Sequence, residues 1–464
     1  MDRIPVEVWL QVFSILDRGD WIFLHRVSRA FHRISRPLLF KHLHFYPYAA
    51  VPYYGRTTPE FLIPGEVEIK RTIRRLRFWT SDDVAPLVRE CTVAPQTIGS
   101  AERGSYAACH DGDVLLRTFV QLLPRLTNLR KLSAFSVEFK QPFIDALVSV
   151  PNLKEIELGS CVTKEGITAD HQLNVERLSF LDADRYGYET VGAQNWFSIV
   201  DMQMLTHLCL LSRNAVRTIL NAGTAAPAFL NVVALAVDVN SLKQPRDLVA
   251  LRRFPAVRQV HISMYVEPPQ PSNPSLFPVL DTYHGPPEFL MFLDSRAPLR
   301  RLQIDQCLPA RVGRILEFCA HTLRGVTKLT VSFDGLPIVA FHPIVEAFPS
   351  LVEFRMHVSL YWATPPGEIF TAQSLYLDLA EASPFPSGLQ AITIVWWSDN
   401  GPDGLEVVPA AQAAWATLSA AHSELWRAQF AWPGAGCVFR RTADGESEEE
   451  IHERLETPII DDFM

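Results

Sequence analysis

The sequence predicts an α/β fold in which a small helical unit is followed by an irregular repeat solenoid. In this fold parallel β-strands line the concave face, and helices and loops lie outside. Two patterns support it: apolar residues at helical spacing in the first 45 residues, and a short aliphatic phrase that recurs through the middle of the chain. With 464 residues, of which 48% are hydrophobic and 20% charged, the chain can bury a large core.

The first predicted helix follows Pro5 and is apolar over most of its circumference. One apolar stripe has the spacing i, i+3, i+4 and i+7, and it consists of Trp9, Val12, Phe13 and Leu16. Val8, Leu10 and Ile15 lie off that stripe. A helix of this kind must be covered on two sides, once by its own chain and once by another molecule.

Local signals predict two further helices in this unit. Gly19 is expected to end the first helix, Asp20 to cap the second, and Ser28 to cap the third. A unit of about 45 residues lies near the size below which a domain needs help to fold. We therefore expect the unit to dock onto a partner protein.

Residues 4 to 44 resemble the F-box, the motif by which substrate receptors join cullin-RING ubiquitin ligases through a small adaptor subunit. The resemblance includes an Ile-Pro-x-Glu opening at Ile4, an apolar run that ends at Leu16, and a Val-Ser-Arg stretch from Val27. Many members carry Trp where this chain has Phe31. The resemblance implies that the adaptor is bound by Ile4, Pro5, Val8, Leu16, Leu24 and Val27. The alternative is an N-terminal cap packed on the rest of the chain.

The recurring phrase is Leu-x-x-Leu-x-Leu, with aliphatic or Phe substitutions, and it resembles the strand signature of leucine-rich repeats. Most consecutive copies lie 22 to 30 residues apart, and a weaker copy lies near Leu375. The central residues of the other copies are Leu76, Leu132, Ile156, Leu178, Leu208, Leu235, Val260, Leu302, Leu329, Phe354 and Ile392. Because a single repeat cannot bury its own apolar face, the array must be continuous and capped.

Side chains that alternate with the repeat aliphatics are expected to face the concave surface, where a target protein would bind. The predicted target-binding residues are Arg75, Arg77, Trp79, Lys131, Phe135, Glu155, Glu157, Arg177, Asp238, His261, Arg301 and Arg355. For each of them the alternative is an ordinary solvated strand face.

These patterns divide the chain into five predicted segments. They are the F-box at 1–45, a linker and first repeat with an N-terminal cap at 46–120, the solenoid at 121–400, a C-terminal cap at 401–443 and an acidic tail at 444–464. A proline-rich insertion at 265–298 is interpreted as a surface excursion, and a helix is expected to begin at Pro409. The tail has nine acidic residues and one arginine, which accounts for the whole net charge of −8, and we expect it to be a solvated appendage.

The chain lacks the motifs of an enzyme, so we expect a non-catalytic protein with no cofactor and no metal. It has no C-x-x-C pair, phosphate-binding glycine motif or nucleophile elbow, and Cys109, His110 and Asp111 are too close in sequence to converge. His42 and His44 are expected to lie on a packed strand rather than bind a metal. Seven scattered cysteines favour the cytoplasm or nucleus. A neutral body argues against nucleic acid as a partner, and the lack of a long apolar run argues against a membrane.

The resemblance and the repeats together predict a substrate receptor of a cullin-RING ubiquitin ligase. Its expected partners are the adaptor and cullin complex and an unknown target protein. The first alternative is a leucine-rich-repeat scaffold that is not coupled to ubiquitination. The second is a hydrolase in the irregular loops that depends on His110.

Overall fold

The computed structural model divides the chain into two compact units, Met1–Leu242 and Lys243–Met464. The residues that it describes are 5–51, 60–97, 106–108, 113–164, 166–167, 172–181, 190–220, 228–238, 245–263, 275–307, 309–334, 344, 346–359, 375–376, 385–397, 404–432, 435–442 and 447–452. No helix among them is both long and apolar enough to cross a membrane.

The N-terminal unit begins with three helices, α1 (Val6–Ile15), α2 (Arg18–Val27) and α3 (Arg29–Leu39). The predicted cap of α3 is confirmed, since the Phe31 amide donates to Ser28 Oγ at 3.1 Å. The predicted end at Gly19 and cap at Asp20 are wrong. Asp17 caps α2 by accepting the Asp20 amide at 2.9 Å, so the helix begins before Gly19.

Aromatic packing holds the three helices together. The rings of Trp9, Phe13 and Phe31 lie 5.0 to 6.0 Å apart, and Phe13 is fully buried. Trp21 Nε1 donates to the Phe13 carbonyl at 2.6 Å and so ties α2 to α1. This small core uses one side of α1 and leaves its other sides to solvent.

A parallel sheet follows in the same unit. Its strands, in spatial order, are β1 (His42–Phe45), β4 (Glu90–Val93), β7 (Lys131–Phe135), β9 (Glu155–Gly159), β11 (Arg177–Leu181), β12 (His207–Leu210) and β13 (Ala234–Asp238). Short strands form two side sheets and are β2 (Ala49–Val51), β3 (Glu60–Pro64), β5 (Gln96–Thr97), β6 (Tyr106–Ala108), β8 (Glu138–Phe139) and β10 (Val162–Thr163). The helices between the strands are α4 (Glu66–Trp79), α5 (Asp113–Leu122), α6 (Gln141–Val148), α7 (Trp196–Ile199) and α8 (Arg213–Leu220).

The strand register aligns one apolar residue from each parallel strand into a buried ladder. The ladder consists of Leu43, Cys91, Leu132, Ile156, Leu178, Leu208 and Leu235. Five of these residues are central positions of the predicted repeat, so those copies are confirmed as parallel strands. Each strand buries its aliphatic face only because its neighbours extend the same apolar layer.

The repeat copy centred on Leu76 is a wrong prediction, because residues 66–79 form helix α4. The Leu-x-x-Leu spacing fits one helical turn as well as a strand, and acids in the first turn favour the helix. Lys70 also pairs with Glu66 at 2.6 Å across one turn. The strands at this position are instead β1 and β4, which lack the full phrase.

The C-terminal unit contains a second run of strands. In spatial order they are β14 (Gln259–Ser263), β15 (Thr282–Gly285), β16 (Arg301–Cys307), β17 (Lys328–Asp334), β18 (Glu353–Ser359), β19 (Ala391–Trp397), β20 (Arg427–Trp432), β21 (Ala435–Arg441) and β22 (Ser447–His452). Pairing is parallel from β14 to β20 and antiparallel from β20 to β22. Its helices are α9 (Pro245–Ala250), α10 (Pro309–Leu323) and α11 (Gly404–Ala421), and α11 contacts β20 and β21.

Three predictions in this unit need correction. The proline-rich insertion contains β15, where buried Tyr283 replaces the repeat leucine and its hydroxyl donates to the Pro286 carbonyl at 2.6 Å; residues 265–274 lie outside the described part. Pro409 lies inside α11 rather than at its start. The acidic segment is not wholly an appendage, because β22 pairs along β21 through backbone hydrogen bonds.

Candidate functional site

Exposed apolar side chains are concentrated on the first two helices. Of the nineteen large apolar side chains exposed in the described residues, seven lie between residues 8 and 27. They form what we term the helix surface and are Val8, Leu10, Val12, Ile15, Ile22, Phe23 and Val27. Ile15 is 85% exposed, Phe23 70% and Val27 62%. Such a concentration is typical of a surface that another protein covers.

The exposure follows from how α1 packs. Its inward side is used by Trp9 and Phe13 against Phe31 of α3. Val8 and Ile15 lie off that side and are exposed, as the pattern predicts. Val12 belongs to the predicted stripe but is 42% exposed, so the buried stripe is narrower than the sequence indicates.

A charged network lies on the strand face of the N-terminal unit. Lys131 on β7 binds Glu155 at 2.7 Å and Glu157 at 3.1 Å on β9, and Ser133 Oγ donates to Glu157 at 3.0 Å. Burial lowers the pKa of Lys131, but the two carboxylates more than offset it and the pKa is raised. These three predicted residues therefore satisfy one another and form a fixed, polar surface.

The strand face of the C-terminal unit carries a histidine cluster. The rings of His261 and His284 stack in nearly parallel planes with centroids 4.1 Å apart, and His284 Nε2 bonds to the Asp305 carboxylate. Gln303 Nε2 donates to the same carboxylate at 3.2 Å. Burial, and then the neighbouring His284, lower the pKa of His261 to about 4 despite the opposing pull of Asp305. His261 is therefore uncharged at neutral pH.

His357 on β18 has a similar environment. Burial, followed by repulsion from Arg355, lowers its pKa to about 4, although Asp305 acts in the opposite direction.

No group of three or more metal-ligating side chains is found within the described ranges. His42 bonds to Glu90 at 3.0 Å on a strand whose alternate residues Leu43 and Phe45 are buried.

Comparison with known families identifies the helical unit. Residues 1–46 match the F-box-like family. These residues form an F-box-like domain. No curated protein matches the chain.

The residues predicted to bind an adaptor differ in their solvent exposure in the F-box-like domain. Pro5, Val8 and Val27 are exposed, and Leu16 and Leu24 are half-buried. Ile4 lies outside the described residues. Their role in adaptor binding stays a prediction.

Sequence reasoning missed Phe23, which at 70% is the second most exposed large apolar side chain described in the F-box-like domain, after Ile15. Phe23 and Val27 are four residues apart on α2 and so share one face of the helix. That spacing was a usable signal for extending the helix surface from α1 onto α2.

Four predicted target-binding residues do not lie on an open strand face. Arg75, Arg77 and Trp79 belong to helix α4, and Trp79 is buried. Arg75 Nη2 donates to the His44 carbonyl at 3.5 Å and lines a cavity of about 200 Å³ between β1 and α4. Asp238 is only 6% exposed at the end of β13, and its carboxylate lies 4.0 Å from Arg213 Nε.

The remaining predicted residues do lie on the strand faces. Arg177 is exposed on β11, and Phe135 is half-buried over Gly159 of the next strand. Arg301 is exposed on β16 and Arg355 is half-buried on β18. The residues Cys109, His110 and Asp111 lie outside the described part, so the hydrolase alternative has no described site.

Proposed function

We propose that this protein is the substrate-recognition subunit of an SCF-type ubiquitin ligase. Its F-box-like domain docks to the adaptor and cullin complex, and its strand faces hold a target protein. The observation that carries the proposal is the helix surface, which lies within the segment that matches the F-box-like family.

Covering the helix surface with a partner protein would contribute several kcal/mol of binding free energy, on the order of a typical hot spot. Fully burying an aliphatic or phenylalanine side chain stabilises by about 1.5 to 3 kcal/mol, and Ile15, Phe23 and Val27 are 62% to 85% exposed. After allowing for the part already buried, covering these three contributes about 3 to 6 kcal/mol. A few such residues commonly dominate the affinity of a protein interface.

We assign target binding to the parallel strands, which we interpret as irregular leucine-rich repeats. Supporting this, the buried ladder from Leu132 to Leu235 matches the repeat phrase, and the alternating side chains form a half-exposed polar face. The protein itself is non-catalytic and acts in the cytoplasm or nucleus. It raises the effective concentration of the target near the ligase's catalytic subunits.

Co-purification with the adaptor tests this function. Val8→Glu places a negative charge on the helix surface. It should leave α1 folded, because an acidic residue in the first turn of a helix interacts favourably with the helix dipole. The matched control is Val67→Glu, because Val67 is also an exposed valine in a helical first turn, that of α4. The parent and the control should retain the adaptor, and Val8→Glu should lose it.

The same experiment addresses the alternative function. A parent protein that binds target but never retains the adaptor would support a recognition scaffold that is not coupled to ubiquitination. Equal retention of the adaptor by Val8→Glu and Val67→Glu would reject the helix surface as the docking site.

A further inference from the structure

Three arginines on the strand face of the C-terminal unit have no carboxylate partner within the described residues. They are Arg301 on β16, Arg355 on β18 and Arg427 on β20. Neighbouring cations on this face are paired, since Lys328 lies 2.6 Å from Glu353 and Arg440 lies 3.7 Å from Glu450. Asp305 on β16 is bonded to His284 and Gln303, and Glu448 on β22 lies opposite Arg440, the strand neighbour of Arg427.

The strand register places the three arginines on one face. Arg301 and Arg427 belong to a single row that runs through Lys328, Glu353 and Ala391 on the intervening strands. Arg355 lies two residues beyond Glu353 on β18, so it points to the same side. The alternate residues, such as Leu302, Phe354 and Ala428, are buried on the opposite side.

Arg427 carries an unsatisfied donor. Its Nη2 donates to Gln429 Oε1 at 3.3 Å, but its Nε is buried without a hydrogen-bond partner. Leaving a buried donor on a charged group unpaired is costly, and a carboxylate is the acceptor that a guanidinium fork binds best. Arg427 therefore has an unmet capacity for an acceptor, and an acidic ligand reaches the buried Nε only after a shift of the side chain.

The histidines of this face do not compete with the arginines for an acidic ligand. His261 and His357 have a pKa of about 4, lowered by burial, and are neutral at physiological pH. Because Glu353 and Asp305 already have partners, an incoming carboxylate between β16 and β20 meets attraction with reduced repulsion.

We propose that this strand face binds an extended, carboxylate-rich segment of the target protein through Arg301, Arg355 and Arg427. The inference rests on the proposed function and specifies its target class. Arg301 and Arg427 are four strand steps apart, about 19 Å at the usual strand spacing, and Arg355 lies on the strand midway between them. An extended chain advances about 3.3 Å per residue and alternate side chains share one face. In a segment crossing the strands, acids at positions i, i+2, i+4 and i+6 therefore face the arginines and span their separation.

The test uses the full chain and a fluorescein-labelled serine peptide with glutamates at those four positions. Fluorescence anisotropy at low ionic strength should show saturable binding that weakens with added salt. Arg355→Gln should weaken binding about tenfold, because it removes one charge-assisted hydrogen bond. The variant with glutamine at Arg301, Arg355 and Arg427 should not bind the peptide. The matched control, Arg324→Gln, removes an exposed arginine that follows α10 and should bind like the parent.

Three results would overturn the proposal. In the first, a peptide with glutamine in place of glutamate binds as tightly as the glutamate peptide. In the second, Arg324→Gln loses as much affinity for the glutamate peptide as Arg355→Gln does. In the third, the glutamate peptide binds only after residues 453–464 are removed. The last would show that the chain's own four acidic residues in that segment are the occupant. Adaptor co-purification of the triple variant separates this inference from the proposed function, because the adaptor should still bind when the peptide does not.

Discussion

Acidification should destabilise the C-terminal unit through His357. Its pKa falls from an ordinary value of 6.5 to about 4 on folding, mainly because it is buried on the strand face beside Arg355. Between these two values the unfolded chain binds more protons than the folded one. The stabilisation is therefore fully present above about pH 6.5 and is lost as the pH falls towards 4.

The magnitude follows from the linkage relation. For this change in pKa, lowering the pH from 7 to 5 removes about 2 kcal/mol of unfolding free energy through this one imidazole. His357→Gln keeps a polar side chain but cannot be protonated. The variant should therefore lose about 2 kcal/mol less than the parent over the same pH interval.

Urea unfolding at pH 7 and pH 5, followed by tryptophan fluorescence, measures how much unfolding free energy the parent and His357→Gln each lose between the two pH values. His321→Gln is the matched control, because it removes an exposed imidazole from α10 and should leave the parent's pH response unchanged. If His357→Gln lost as much stability between pH 7 and pH 5 as the parent, the burial argument for this face would be refuted.

Two further predictions concern stability. Gly192→Ala should cost about 3 kcal/mol or more in urea unfolding, because Gly192 has φ +75° and an added Cβ would lie 2.1 Å from the Thr163 carbonyl oxygen. Gly166→Ala, at φ +77° but with nothing within 4 Å, should cost only about 1 kcal/mol, and equal costs would argue against the clash. Phe13→Ala should remove about 3 to 5 kcal/mol from the packing of the F-box-like domain and speed proteolysis of its helices, and unchanged cleavage would contradict the aromatic core.

The repeat strands were predictable where the aliphatic phrase was complete. Leu132, Ile156 and Leu178 lie on strands in which the last two aliphatic positions of the phrase, two residues apart, are both buried, as a strand period predicts. The same phrase at Leu76 is a helix, since its spacing fits both periods and the flanking charges favour α4. Strand β15 was not predicted, because Tyr283 occupies the position that leucine has in the repeat phrase. Burying its hydroxyl requires a hydrogen bond to the Pro286 carbonyl, which the sequence does not indicate.

The candidate site was predictable in part. Helical periodicity places Val8 and Ile15 outside the core, and both are exposed. Asp238 could not be placed from its strand position alone, because it is buried at the end of β13 although strand alternation predicts exposure, and its neighbour Arg213 comes from α8. The unpaired arginines of the C-terminal face depend on which neighbours pair across strands, and register is a property of the folded sheet.

Titration calorimetry of the purified adaptor subunit into the full-length protein tests the central claim most directly. The account predicts saturable binding at one adaptor per chain, weakened at least tenfold by Val8→Glu and unchanged by Val67→Glu, because only the former buries an unpaired charge in the interface. Absence of heat with the parent protein, or equal weakening by both substitutions, would contradict it.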